Sequence, residues 1–162
     1  MKDDSPSRSP ESAAAADPRA QLIRRLAAPP LIGELSLLAL QSVLALRIVA
    51  LCSKTGREPV VELARRFRSV TAAKAFLTLT DHIGRCWPDR VTVHPPCCRG
   101  LSPDEQTLAL MINAAGAGGR EAFRRAVEGL VRADRHEMLY AAAVDFAAAL
   151  NSNDWRAGYP AL

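Results

Sequence analysis

A compact all-α bundle of about six or seven helices is what this sequence predicts, and three features predict it. Hydrophobic residues make up 49% of the 162-residue chain but aromatics only 5%, so the core must be filled by Leu, Ala, Val and Ile, a set that suits closely packed helices better than sheets. Apolar residues recur at helical spacing in segment after segment, while strand-like alternation is almost absent. Proline stands at the first helical position behind a capping residue at Asp17-Pro18 and Ser102-Pro103, and Glu58-Pro59 opens a further helix. A chain of this length needs no second domain, since roughly 100–150 ordered residues can bury a self-sufficient core.

Residues 1–16 are rich in Ser, Pro, Asp and Ala and show no periodic apolar face. They cannot bury enough surface to offset the entropy of ordering, and a disordered tail is expected there. A single helical domain is expected over 17–150, with 151–162 as a C-terminal extension. Its first helix opens at Asp17-Pro18, carries Leu22, Ile23 and Leu26 on one face with Arg19, Arg24 and Arg25 outside it, and ends at Pro29-Pro30.

Leu31 to Cys52 is apolar almost all the way round, the pattern of a central helix surrounded by others. It is long enough to raise the question of a membrane span, but Glu34, Ser36, Gln41, Ser42 and Arg47 interrupt it, and unpaired charge in a bilayer is costly. No membrane span is therefore expected. Gly56 should stop this helix, and Glu58-Pro59 should open the next, Val60 to Arg68, with Leu63, Ala64 and Phe67 inward. Thr71 is the expected cap of a helix running to about Cys86, with Ala72, Ala75, Phe76, Leu79, Ile83 and Cys86 inward and Lys74, Thr78, Asp81 and Arg85 outward.

Trp87-Pro88 closes that helix. The stretch to Leu101 contains Pro95, Pro96 and Gly100 and no helical period, which predicts the longest internal loop, with an extended piece over Arg90–His94. Ser102-Pro-Asp-Glu105 combines an N-cap, a proline and a capping-box glutamate, the most specific local signal in the chain. The helix behind it buries Leu108, Met111, Ile112 and Ala115 until Gly116, Gly118 and Gly119 break it. Arg120 to Ala133 is amphipathic, with Phe123, Val127 and Val131 in its apolar stripe, and a last helix runs from about His136 to Leu150 through Leu139, Ala142, Ala143 and Phe146.

The net charge of +4 comes from 21 basic and 17 acidic residues, a mild excess that does not by itself demand an acidic partner. Only Lys2, Lys54 and Lys74 are lysines, so the basic character is nearly all arginine. The first residues lack the apolar stretch of a secretory signal. A cytoplasmic protein is expected, with Cys52, Cys86, Cys97 and Cys98 as thiols or metal ligands rather than disulfides.

Polar chemistry concentrates around the loop. His82 and Cys86 are four apart and share a helix face, while His94, Cys97 and Cys98 follow shortly after. Two histidines and two cysteines suit tetrahedral zinc, so His82, Cys86, His94 and either Cys97 or Cys98 form the candidate metal set, although this spacing is not one of the common finger patterns. Against it, Cys86 completes the apolar stripe of its helix and His82 can sit on the stripe's edge. Arg99 and the helix start at Ser102 also make the Cys97-Cys98 pair a candidate reactive thiol.

No hydrolase elbow, phosphate loop or dinucleotide fingerprint is present, and the glycines at 116–119 lack the preceding strand that a phosphate loop needs. Val60 to Cys86 read as a DNA-binding helix pair would expose Asp81 and offer only Lys74 and Arg85 as cations on its second helix. The Arg24/Arg25 and Arg65/Arg66/Arg68 clusters would add a phosphate-binding surface only if the fold brought them together.

Pro95-Pro-Cys-Cys-Arg-Gly-Leu-Ser-Pro-Asp-Glu105, with the alanine-rich C-terminal half behind it, resembles a family of small bacterial helical proteins marked by a Cys-Cys loop ahead of a Ser/Thr-x-Asp-Glu helix start. The resemblance covers only that half, and no activity is established for the family. It implies that the Cys97-Cys98 loop is a family feature.

No full set of nucleophile, base and acid assembles from these residues, and neither a catalytic group nor a cofactor is assigned; an enzyme reading stays open only at the Cys97-Cys98 loop beside His94 and His82, where a thiolate and an imidazole could work as nucleophile and base. The expected function is a non-enzymatic regulatory or adaptor protein that presents a helical surface to a protein partner or to a second copy of itself. A zinc- or thiol-based sensor at the His82/Cys86/His94/Cys97/Cys98 cluster and a nucleic-acid-binding regulator are the alternatives.

Overall fold

The structure is a computed structural model and describes residues 30–152. The expected tail over 1–16, the helix ending at Pro29 and the chain beyond 152 lie outside these residues. Among the described residues six α-helices follow one another: α1 (Leu37–Thr55), α2 (Pro59–Phe67), α3 (Val70–Cys86), α4 (Pro103–Gly116), α5 (Arg120–Val127) and α6 (His136–Asn151). Single 3-10 turns at Ile32–Glu34 and Ala133–Arg135 precede the first and the last, and the all-α bundle expected from composition is what forms.

Most boundaries follow the local chemistry, and three differ from expectation for identifiable reasons. The stretch from Leu31 is not helical from its start: Ile32 N donates to Arg99 O (2.8 Å) and Leu101 N to Pro30 O (3.1 Å), pairing this segment with the loop before α4. Ser36 then caps α1, its hydroxyl accepting from Ala39 N at 3.2 Å. Ser69 rather than Thr71 caps α3, accepting from Ala72 N at 3.0 Å. Helix α5 stops at Val127 instead of continuing to Ala133, because the chain turns extended at Glu128 and takes a positive φ of 74° at Gly129, where glycine has no Cβ to clash. Leu130 and Val131 still pack on the core from this turn. Gly56, at φ 65°, ends α1 as expected.

The main core lies where α6 packs on α3, α4 and α5, with α2 against α3. Phe67, Phe76 and Phe146 bring α2, α3 and α6 together, their ring centroids 5.0–5.8 Å apart in tilted and edge-on pairs. Each such buried ring contributes about 1.5–3 kcal/mol by leaving water. Helix α1 packs against α4 and α2. Ala45 and Leu46 join the main core, while Ala39 and Val43 form a smaller cluster with Leu101 and Ala109. Leu37 and Leu51 of the same helix remain exposed. Among the described residues α1 alone has the length and hydropathy of a membrane span, and it sits in the bundle through those buried positions.

Candidate functional site

Helix α1 places one charged residue in the interior. Arg47 is 1% exposed and Glu105, on the first turn of α4, is fully buried. The Arg47 guanidinium meets the Glu105 carboxylate edge to edge, Nε to Oε1 at 2.7 Å and Nη2 to Oε2 at 2.9 Å. The remaining donors go to loop carbonyls: Nη1 to Cys98 O (2.5 Å) and Pro95 O (3.3 Å), Nη2 to Gly100 O (2.9 Å). All five N–H groups of the fork are thereby used. The hydrogen bonds with Glu105 push the Arg47 pKa above its ordinary value despite burial, which keeps the ion pair charged.

Glu105 is saturated as well. Besides the two arginine bonds it accepts from Ser102 N (2.9 Å) and His94 N (3.2 Å). The Ser102 hydroxyl accepts from Glu105 N (3.1 Å), completing the capping box, and donates to Thr92 O (2.5 Å). Asp104 accepts from Trp87 Nε1 (2.9 Å) and Thr92 N (2.6 Å). The piece over 90–94, expected to be extended, has no strand partner among the described residues. Its N–H groups at alternate residues, Thr92 and His94, bond to helix-start carboxylates, and Val91 and Val93 between them pack on the core. The capping signal thus reaches beyond its own helix and holds the loop over 87–102.

The expected metal set is divided between these elements. His82 and Cys86 lie half-buried on α3, Cys86 against the core, and His82 Nδ1 is buried without a hydrogen-bond partner. His94 and Cys98 are brought together, with Cys98 Sγ 3.5 Å from His94 Nδ1. That nitrogen also lies 3.1 Å from Gly100 O, a pure acceptor, so Nδ1 carries the ring proton. Cys97 is exposed, Cys52 is buried, and all four thiols are free. Among the described residues no group of three or more His, Cys, Asp or Glu side chains is placed to hold one metal ion.

Next to the clamped loop, an open groove of about 530 Å³ runs between α1 and α2. Ile48, Leu51, Cys52 and Thr55 line it from α1, Val61, Glu62 and Arg65 from α2, Arg57 and Glu58 from the turn between them, and Pro96 from the loop. Leu51 is 48% and Val61 65% exposed. Pro96 follows directly on the Pro95 carbonyl that Arg47 holds, so the buried ion pair sets the position of this wall. The groove was not foreseen from sequence, because Leu51 and Val61 fit the apolar stripes of their own helices and only the angle between α1 and α2 leaves them open.

Several surface arginines pair with carboxylates. Arg65 pairs with Glu62, Arg85 with Asp81, Arg132 with Asp134, and Arg120 and Arg124 together with Glu137. Compared with family models, with curated proteins and with solved structures, the chain has no match.

Proposed function

We propose that this chain is a non-enzymatic, cytoplasmic adaptor or regulatory protein whose α1/α2 groove receives an amphipathic helical segment of a protein partner. The observation that supports it most is the pairing of Leu51 and Val61, two large apolar side chains left open on facing helices over one groove. Scattered exposed leucines are ordinary, whereas a concave apolar strip with charges on its rim suits helix-in-groove recognition. Arg57, Glu58, Glu62 and Arg65 supply that rim and would select the register of an incoming helix. Arg47 and Glu105, by contrast, have no donor or acceptor to spare, and their role in this reading is to hold the Pro96 wall. Four free thiols accord with a reducing compartment.

The test is selection of helical peptides from a displayed library on the full chain. Peptides selected this way are expected to lose at least about tenfold in affinity on Leu51→Asp or Val61→Asp, the cost of putting a charge against their apolar anchors. They should be indifferent to Leu37→Asp at the far end of α1. Peptides insensitive to both groove changes would overturn the reading.

A second reading, a thiol sensor, is favoured by the contact of Cys98 Sγ with the Nδ1–H of His94 beside exposed Cys97. It requires that Cys98 alkylate near neutral pH far faster than free cysteine and slow in His94→Ala. Ordinary rates at both thiols would end it.

A further inference from the structure

We infer that Cys97 and Cys98 are a reversible oxidation site for a hydroperoxide, and that closing a disulfide between them releases the Pro96 wall of the α1/α2 groove. This rests on the thiol-sensor reading of the loop and names its oxidant and its consequence. The pair is built into one tight turn. Cys98 N donates to Pro95 O at 2.9 Å, which puts Pro96 and Cys97 at the two central positions of a β-turn, the first of which suits proline. Cys97 is exposed and Cys98 half-buried, so a small oxidant reaches the turn from solvent. The Nδ1–H of His94 lies 3.5 Å from Cys98 Sγ and favours negative charge on that sulfur. The Arg47 pKa is raised chiefly by the hydrogen bond with Glu105, and Cys98 and Cys97 raise it further. Both sulfurs therefore lie in the field of one guanidinium.

The chemistry balances with a hydroperoxide as the only oxidant. The Cys98 thiolate attacks a peroxide oxygen; the S–O bond forms, the O–O bond breaks, and the departing hydroxide or alkoxide takes up a proton. The Cys97 thiolate then attacks the sulfur of the Cys98 sulfenic acid; the S–S bond forms, the S–O bond breaks, and the oxygen leaves as water. Two thiols are oxidised by two electrons, and hydrogen peroxide is reduced to two waters. Neighbouring Cα atoms are about 3.8 Å apart across a trans peptide, short of the roughly 4.4–6.8 Å usual for a disulfide. The bond is therefore strained, and a small thiol reopens it while being oxidised to its own disulfide. Its closure twists the Cys97–Cys98 peptide, whose N–H holds Pro95 O, and shifts the Cys98 carbonyl that accepts from Arg47 Nη1 at 2.5 Å. Arg47 Nη1 also holds Pro95 O, at 3.3 Å. Pro96 stands between these anchors and loses its hold with them.

The experiment treats the full reduced chain with equimolar hydrogen peroxide and digests it with trypsin, because the peptide Val91–Arg99 carries Cys97 and Cys98 and no other cysteine. That peptide is expected to lose two hydrogens and to regain them with dithiothreitol. Its oxidation should be at least about tenfold slower in His94→Ala. In Cys97→Ser the reaction should stop at a Cys98 sulfenic acid that dimedone traps. Disulfide closure should speed hydrogen exchange at the Cys98 amide and weaken a groove-selected peptide by about three- to tenfold, the equivalent of one lost hydrogen bond. Disulfides from Cys97 or Cys98 to Cys52, to Cys86 or to a second chain would overturn the inference, as would unchanged exchange or unchanged peptide affinity in the oxidised chain. If Cys98 alkylates fast but peroxide closes no disulfide, the inference fails and the thiol-sensor reading stands. If the disulfide closes and frees the Cys98 amide while Cys98 alkylates at an ordinary rate, the thiol-sensor reading is the one that fails.

Discussion

Arg47 and Glu105 are separated by 58 residues in sequence and by 2.7 Å in space, and neither side chain has any exposed surface. One lies in the middle of an otherwise apolar helix; the other closes the capping box of a different helix. Their pairing gives each a purpose that its own segment lacks: the arginine neutralises a buried carboxylate and collects three loop carbonyls. Such a pair need not add stability compared with a well-packed apolar substitute, but removing one partner alone strands the other's charge.

Arg47→Met is therefore expected to destabilise the fold by about 3–5 kcal/mol, measured by urea unfolding. Glu105→Gln should also destabilise, and the double variant should fall short of the sum of the two single losses by about 1–3 kcal/mol. Additive losses would mean that the two residues do not act as a unit.

The loop gives a second check. Ser102→Ala removes an N-cap and the donor to Thr92 O, and a loss of about 1–2 kcal/mol is expected. Asp104→Ala frees Trp87 Nε1 and Thr92 N, which should alter the Trp87 emission and speed hydrogen exchange at Thr92. Unchanged exchange there would contradict the proposed hold of α4 on the loop.

Thiol accessibility reports on the same clamp. Cys97 is exposed, Cys98 half-buried and Cys52 buried, so iodoacetamide labelling read by mass spectrometry should leave Cys52 last. In Arg47→Met the Cys98 carbonyl loses its donor, and Cys98 labelling should accelerate relative to Cys97. An unaltered ratio would show that the loop holds its shape without Arg47.

The Arg124 and Arg120 guanidiniums hold the Glu137 carboxyl below the usual glutamate range. A depressed folded pKa means that this contribution is fully present above the ordinary value, about 4.3, and is lost as pH falls through the lower folded one. Carboxyl NMR should show Glu137 titrating late on acidification, with the midpoint rising in Arg124→Ala. Because the site is exposed, the effect on stability should be small and should shrink with salt.

Much of the fold was legible because it is encoded locally. The Ser102-Pro-Asp-Glu105 start, the stripe of Ala72, Phe76, Leu79 and Ile83, and the stop at Gly56 each depend on residues within a turn or two of one another. Gly129 was legible in principle, yet the apolar spacing of Phe123, Val127 and Val131 runs through it and hid the break, since those side chains stay buried whether the backbone continues or turns. The partner of Arg47 was beyond local reading. A lone arginine in an apolar helix and a capping glutamate both signal something unusual, but only tertiary packing joins them. The same limit applies to His82, Cys86, His94, Cys97 and Cys98: their closeness in sequence suggested one cluster, whereas α3 and the clamped loop hold them on separate supports. The groove depends on how α1 and α2 diverge after Gly56, which no periodicity reports.

A hydrogen-exchange footprint of the full chain, with and without a groove-selected helical peptide, locates the binding surface. Slowed exchange is expected over residues 48–65 and at Cys97 beside the Pro96 wall, and it should vanish in Val61→Asp. Protection confined to α4 and α6, with residues 48–65 unchanged, would contradict the assignment of the α1/α2 groove as the binding surface.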